Sequence, residues 1–295
     1  MTEDQDDLPE LPELDPRRTR RAVWRGVLRT ATLALVGLLV LLFVWDAAGA
    51  LWNARRRDRF QDVIGQGFLA AHPGFRPSGT GCCNGDGFSV TLFADVSPRA
   101  AGPDLATVPV RITMNAFGQV DTGLARPLKA PYDTAFQAGP PEPEATAALL
   151  DRLPPGMVAV AIIALREPMD EAAFTTCRHR YEQPIVDLAS ILMSPPYANG
   201  RPSPVQPGNG PIGWPDPDLT AFRRWAAEVR PSDATNFMEL GLPDPDAVRR
   251  AGEEGRVYGV VVEDVTIDQL RSFTRDPAVQ SVKFADVAFD LHPPE

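Results

Sequence analysis

Lysine, histidine and cysteine are all scarce in this chain of 295 residues. Lysine occurs only at Lys129 and Lys283, so arginine carries nearly all the positive charge, and acidic residues exceed basic ones to give a net charge of -10. A protein that tracks nucleic-acid phosphates needs clustered cations to release counterions, so this balance argues against that class of partner. The three histidines, His72, His179 and His292, lie far apart. No His-x-x-x-His, Cys-x-x-Cys or carboxylate-histidine spacing suited to a metal appears, and no cofactor is expected. A Gly-x-Ser-x-Gly elbow and a dinucleotide fingerprint are also missing. The glycine run from Gly79 to Gly87 precedes a strand pattern, which is the wrong order for a phosphate loop. On these grounds an enzyme is not expected.

Cys82 and Cys83 are adjacent in the glycine-rich stretch SGTGCCNGDG, and Cys177 falls in a distant helix pattern. In an oxidising compartment Cys82 or Cys83 can bridge to Cys177 and leave one odd thiol; the alternative is three unbridged cysteines.

Proline is the abundant residue. Its 31 copies are roughly double the ordinary share, which predicts long ordered loops between short elements. The hydrophobic content of 44% and charged content of 23% remain those of a folded protein.

From Thr30 to Trp45 sixteen residues pass without a charge. As a helix they span about 24 Å, and the flanks Val27 to Arg29 and Ala47 to Leu51 extend this toward the roughly 30 Å of a hydrocarbon core. A transmembrane helix is expected over residues 27–51, with Trp24, Trp45 and Trp52 at the interfaces. Arg17, Arg18, Arg20, Arg21, Arg25 and Arg29 precede it, while Arg55, Arg56, Arg57 and Arg59 follow. The excess before the helix favours a cytoplasmic N-terminus and an extracytoplasmic C-terminal domain in the cell membrane. A cleaved signal peptide is the alternative, with Ala48-Gly49-Ala50 as its small-residue site, but the long, acidic-fronted n-region favours an anchor. Asp46 reads as a headgroup-zone residue or as an intramembrane carboxylate.

Residues 1–26 form an acidic and then Arg-rich tail with too little apolar mass to fold alone. Within it LPELPELDP repeats every three residues, the turn of a polyproline II helix, which lines up Leu8, Leu11 and Leu14 between Glu10 and Glu13. This suits a short docking motif; the alternative is a solvated acidic tail.

Residues 52–140 read as a juxtamembrane stalk, amphipathic from Ala54 to Ala71, followed by a turn at SGTGCCNGDG and strands at Phe88–Val96 and Thr107–Asn115. A linker near Gly139 to Glu144 and a helix from Ala145 to Arg152 lead to MVAVAIIAL, Met157–Leu165, a continuous apolar run expected to lie centrally in a sheet. Asp170 caps a helix to about Arg178, and Ile185–Met193 is a further strand. The proline-rich loop Pro195–Asp218 is either ordered by packing of Trp214 and Tyr197 or is a contact element using them. A helix from Asp218 to Val229 shows Leu219, Phe222, Trp225 and Ala226 on one face. Then come a helix from Asp244 stopped by Gly255, a strand Val257–Glu263, a helix and a strand Val279–Phe289. The helix between those strands opens with a Thr266/Gln269 capping box and a Val265/Leu270 staple. AIIALREPMDEAAF and GVVVEDVTIDQLRSF share a strand-turn-helix plan with one residue of offset, the pattern of a duplicated unit. The class predicted is α+β: one transmembrane helix, then a mixed domain with two strand-turn-helix units.

The passages VAVAIIALREPMDEAAF, IGWPDP and VYGVVVEDVTIDQLRSFTRDPAVQSVKFADV make residues 156–291 resemble the sigma factor regulator C-terminal domain of membrane-anchored anti-sigma proteins. The stretch RRTRRAVWR leading into a lone apolar helix is similar to that family's N-terminal architecture. The resemblance implies an envelope-side sensing domain, a sigma factor as partner and a role in transcription regulation. The tail here is under thirty residues, too short for a folded sigma-binding domain, and this turns attention to LPELPELDP. The alternative function is a cell-envelope binding or structural module without a transcriptional role.

Overall fold

Helix-favouring Leu and Ala, with Pro16 at the first position where its missing N–H costs nothing, make a single helix α1 of Pro16–Arg59. The computed structural model describes residues 16–85, 89–102, 106–123, 132, 135–136, 141–181, 187–196 and 211–290. The chain divides into two units, Met1–Arg55 and Arg56–Glu295. In the first, Thr30 and Thr32 return their hydroxyls to the carbonyls of Gly26 and Leu28, at 3.0 and 2.8 Å, which satisfies them within the helix. The apolar part of α1 is long enough to cross a membrane, with a mean hydropathy of 2.4, and none of it is buried in the protein.

In the second unit the last turn of α1 passes into a π-helical turn, Phe60–Gly65, and then α2, Gln66–Ala71. The segment expected as an amphipathic stalk, Ala54 to Ala71, is instead part of the core from Phe60 onward, because Phe60, Val63, Ile64, Phe68 and Ala70 are all buried.

Four strands form an antiparallel sheet in chain order: β1 Phe75–Gly85, β2 Val90–Pro98, β3 Val108–Met114 and β4 Val120–Asp121. The glycine-rich stretch read as a turn is largely strand: Cys82 stands opposite Leu92 and Gly85 opposite Val90. A second sheet contains β5 Met157–Met169, β6 Asp187–Leu192, β7 Gly213–Trp214, β8 Val257–Thr266 and β9 Val279–Phe289, in the order β7-β6-β8-β5-β9, with every pairing antiparallel. The apolar run in β5 is buried between β8 and β9, although β8 holds the centre. The strand passes Pro168 because the ladder with β8 is interrupted between Ala164 and Met169, where no donor is required of it.

Helices α3 Pro143–Arg152, α4 Glu171–Tyr181, α5 Leu219–Glu228, α6 Ala234–Leu240, α7 Pro245–Glu254 and α8 Ile267–Arg275 complete the unit. Their boundaries follow capping chemistry. Asp170, Asp218 and Asp244 each accept a backbone N–H at 2.8 Å, the Thr266/Gln269 box closes, and α7 ends on Gly255 in the left-handed region. Leu219, Phe222, Trp225 and Ala226 of α5 are all buried, as their spacing requires. The two sheets share one hydrophobic core, so the stretches expected separately at 52–140 and 156–291 meet in one folded body. The architecture is α+β, with one long apolar N-terminal helix and two sheets.

Candidate functional site

Among the described residues, a buried polar cluster lies where the two sheets meet, at two irregularities of the ladders. Between the pairs Ala159–Val265 and Ala161–Val262, strand β8 carries two residues, Glu263 and Asp264, against the single Val160 of β5. That bulge puts Asp264 at φ 50, the one described residue other than glycine with a positive φ. On the other side of β8 the register with β6 shifts at Ala189.

The bulge holds Glu263 at 1% exposure, where an ionised carboxylate must be paired. Arg99, just beyond β2, meets it as an ion pair, and Arg76 of β1 meets its other oxygen. Arg99 also donates to the carbonyl of Phe75 at 3.2 Å and to that of the bulged Ala189 at 3.1 Å. Tyr132 donates its hydroxyl to the Val262 carbonyl at 3.1 Å, and burial pushes that hydroxyl well above its ordinary pKa against the opposing pull of Arg99. Two cations from the first sheet thus close on one carboxylate of the second. Among the described residues this arrangement brings together two guanidinium groups, one carboxylate and one phenol. What it does is fix one register between the sheets.

A second junction fastens the end of α1. Arg56 donates to the Asn115 carbonyl in the β3–β4 turn, and Arg59 pairs with Asp233 at 2.8 Å. Asp233 also accepts the Arg230 N–H at 2.8 Å. Within the π turn the Val63 carbonyl accepts the Trp225 indole N–H at 3.2 Å. Apolar contact and three polar ties therefore seat this turn in the folded unit.

Trp214 is not a surface contact residue. It is 4% exposed and packs in an aromatic group with Phe222 and Trp225, at ring separations of 5.5 and 5.4 Å, because β7 carries it inward. Cys177 is half-buried on α4 and borders a small apolar hollow of about 40 Å³ with Phe174, Val260 and Phe273. Leu8, Glu10, Leu11, Glu13, Leu14 and Tyr197, and the side chains of Cys82 and Cys83, lie outside the described residues. His72 sits between Phe68 and Phe75, and burial lowers its pKa from 6.5 to about 4. Among the described residues no three His, Cys, Asp or Glu side chains gather as a metal site. A cleft of about 350 Å³ between α3, α8 and β9 is lined by both arginines of α8, Arg271 and Arg275, and by Ser281.

Sequence reading did not reveal the Arg76–Arg99–Glu263 centre, because its members come from strands far apart in the chain. The local sign was Glu263-Asp264 interrupting the apolar run of β8, which is an unusual place for two carboxylates. Comparison with protein-family models, curated proteins and solved structures finds no match for this chain.

Proposed function

We propose that this protein is a membrane-anchored sigma factor regulator, in which an extracytoplasmic α+β domain responds to the envelope and the cytoplasmic tail acts on transcription. The observation that carries the reading is the seating of the last turn of α1 within the domain by Arg56, Arg59 and the π turn. The helix bearing the apolar run thus continues in sequence into residues 56–65, which belong to the folded unit. A domain in two states would bias such a helix, and through it the tail. The excess of arginine before the apolar run supports the orientation, and the passages quoted above support the sigma factor as partner. The proposal assigns no catalytic step.

The tail binds by burying Leu8, Leu11 and Leu14 in a groove while Glu10 and Glu13 meet basic groups, so binding weakens with salt. The rival reading, an envelope module without a transcriptional role, uses the proline-rich loop and Trp214 as its contact surface; Trp214 is buried, and residues 197–210 of that loop lie outside the described residues. The test is retention of the cognate sigma factor by the full-length protein in detergent, at low and at high salt. Retention that is lost in Leu11→Asp supports the reading; no retention at low salt, or undiminished retention by Leu11→Asp, defeats the tail mechanism.

A further inference from the structure

The cleft between α3, α8 and β9 lies wholly within the folded unit, and its volume of about 350 Å³ falls at the small end of the roughly 300–1,000 Å³ range of ligand sites. Its two helical walls carry opposite charge. Glu144 and Asp151 stand two turns apart on α3, and Arg271 and Arg275 one turn apart on α8, so each pair shares a helix face and lines the cleft. Leu150, Val279 and Val282, all buried, supply its apolar lining.

The polar groups of the cleft divide into those already used and those left over. Arg271 is used: it donates to Asp268 at 2.6 Å and to the carbonyls of Leu150 and Leu153 at 2.7 and 3.5 Å, which closes the end of α3 and ties the two walls together. Thr146 spends its hydroxyl on the Val282 carbonyl at 3.3 Å. Arg275, Glu144 and Asp151 are exposed, and their side chains make no hydrogen bond or ion pair among the described residues. Ser281 is 6% exposed and lines the cleft with its Oγ buried and without a hydrogen-bond partner. A buried hydroxyl left unmet is costly, so a polar group entering the cleft has a waiting partner there.

We propose that this cleft binds a short apolar peptide with both ends free, its carboxylate on Arg275, its ammonium on Glu144 or Asp151, and a backbone amide or carbonyl on the Ser281 hydroxyl. The charge pattern selects the class. A simple anion meets the arginine but also two carboxylates, and a simple cation meets the reverse; a zwitterion satisfies both walls at once. The small volume suits about two residues rather than a longer chain. The inference stands on the folded unit alone and goes beyond the sigma factor reading, so either can fail without the other.

The experiment titrates the full-length chain in detergent with the dipeptide alanyl-leucine by calorimetry, beside the same dipeptide acetylated at its N-terminus and the same dipeptide amidated at its C-terminus. Neither modification touches the protein, so folding does not enter this comparison. The expected result is saturable binding of the free dipeptide that weakens at least about tenfold with either modification, since each removes one charge-assisted contact. Arg275→Gln should bind the free and amidated forms equally, and Ser281→Ala should weaken the free form roughly threefold. Equal thermal midpoints without peptide confirm that both variants are folded. No saturable binding of the free dipeptide, or equal binding of its acetylated or amidated form by the original chain, overturns the proposal. So does an Arg275→Gln chain that still prefers the free form to the amide, or a Ser281→Ala chain that binds as tightly as the original.

Discussion

The two junctions of the folded unit solve one problem, fixing a segment in place, with opposite chemistry. Where the sheets meet, Glu263 and Arg99 are 1% and 6% exposed and face each other away from water. Where α1 ends, apolar packing by Phe60, Val63 and Ile64 carries the contact, and the ion pair Arg59–Asp233 sits at its rim with Arg59 30% exposed. Taking a charge pair out of water costs several kcal/mol per ion before attraction offsets it, so the seam is a weak source of net stability but a strict one of geometry. The helix junction gains from burial at about 25 cal/mol per Å² and uses charge only to orient. The difference teaches which junction tolerates change: the seam is all or none, and the helix end is graded.

The largest expected effect breaks the seam. Glu263→Gln leaves Arg99 buried opposite a neutral amide and lowers stability by about 3–5 kcal/mol in chemical denaturation of the full chain. Arg99→Met with Glu263→Leu removes both charges and should cost much less than the single change. If the double variant is no better than the single, the seam is held by packing and the contrast fails.

Next comes pH, acting on the helix side. His72 follows α2 with its ring between those of Phe68 and Phe75, and burial lowers its pKa to about 4 against an ordinary 6.5. Between those values the unfolded chain binds the proton and the folded one does not. Its contribution is therefore complete above pH 6.5 and is lost as the pH falls toward 4. His72 as a whole residue is half-buried, so the loss stays below about 3 kcal/mol. His72→Phe should flatten this part of the pH profile, measured as the difference in thermal midpoint between pH 7 and pH 5.

Asp233→Ala probes the rim. It deletes the partner of Arg59 and the acceptor of the Arg230 N–H together, for about 2 kcal/mol in the same denaturation assay. Asp233→Asn keeps an acceptor for the N–H and should recover about half of that.

These junctions were unequally legible in the sequence. The patterns of β5, α5, α7, β8 and β9 were readable because local rules agree there: apolar period, an aspartate or threonine cap, a stopping glycine. Thr266 and Gln269 fix the start of α8 from adjacent letters alone. By contrast, β1 runs through glycines and cysteines with no alternation, and its strand character comes from pairing with β2, a property of another part of the chain. The burial within Ala54 to Ala71 is half visible: an amphipathic pattern predicts an apolar face there, and nothing local says what covers it. Trp214 was ambiguous for the same reason. The pairing of Glu263 with Arg99 spans 164 positions, and no local pattern announces it.

The smallest effect tests whether the bulge beside Glu263 is shaped by its backbone or by its side chain. Asp264 is exposed at φ 50, where a residue with a Cβ is strained by about 1 kcal/mol and a β-branched one by more. Asp264→Gly removes that strain but gives the unfolded chain more freedom, a loss of up to about 1 kcal/mol, so the two nearly cancel. Asp264→Val has no such compensation and should fall about 2 kcal/mol below the glycine variant. If valine is tolerated as well as glycine, the bulge has relaxed and Glu263 has changed its alignment with Arg99, and the seam would then be as graded as the helix end.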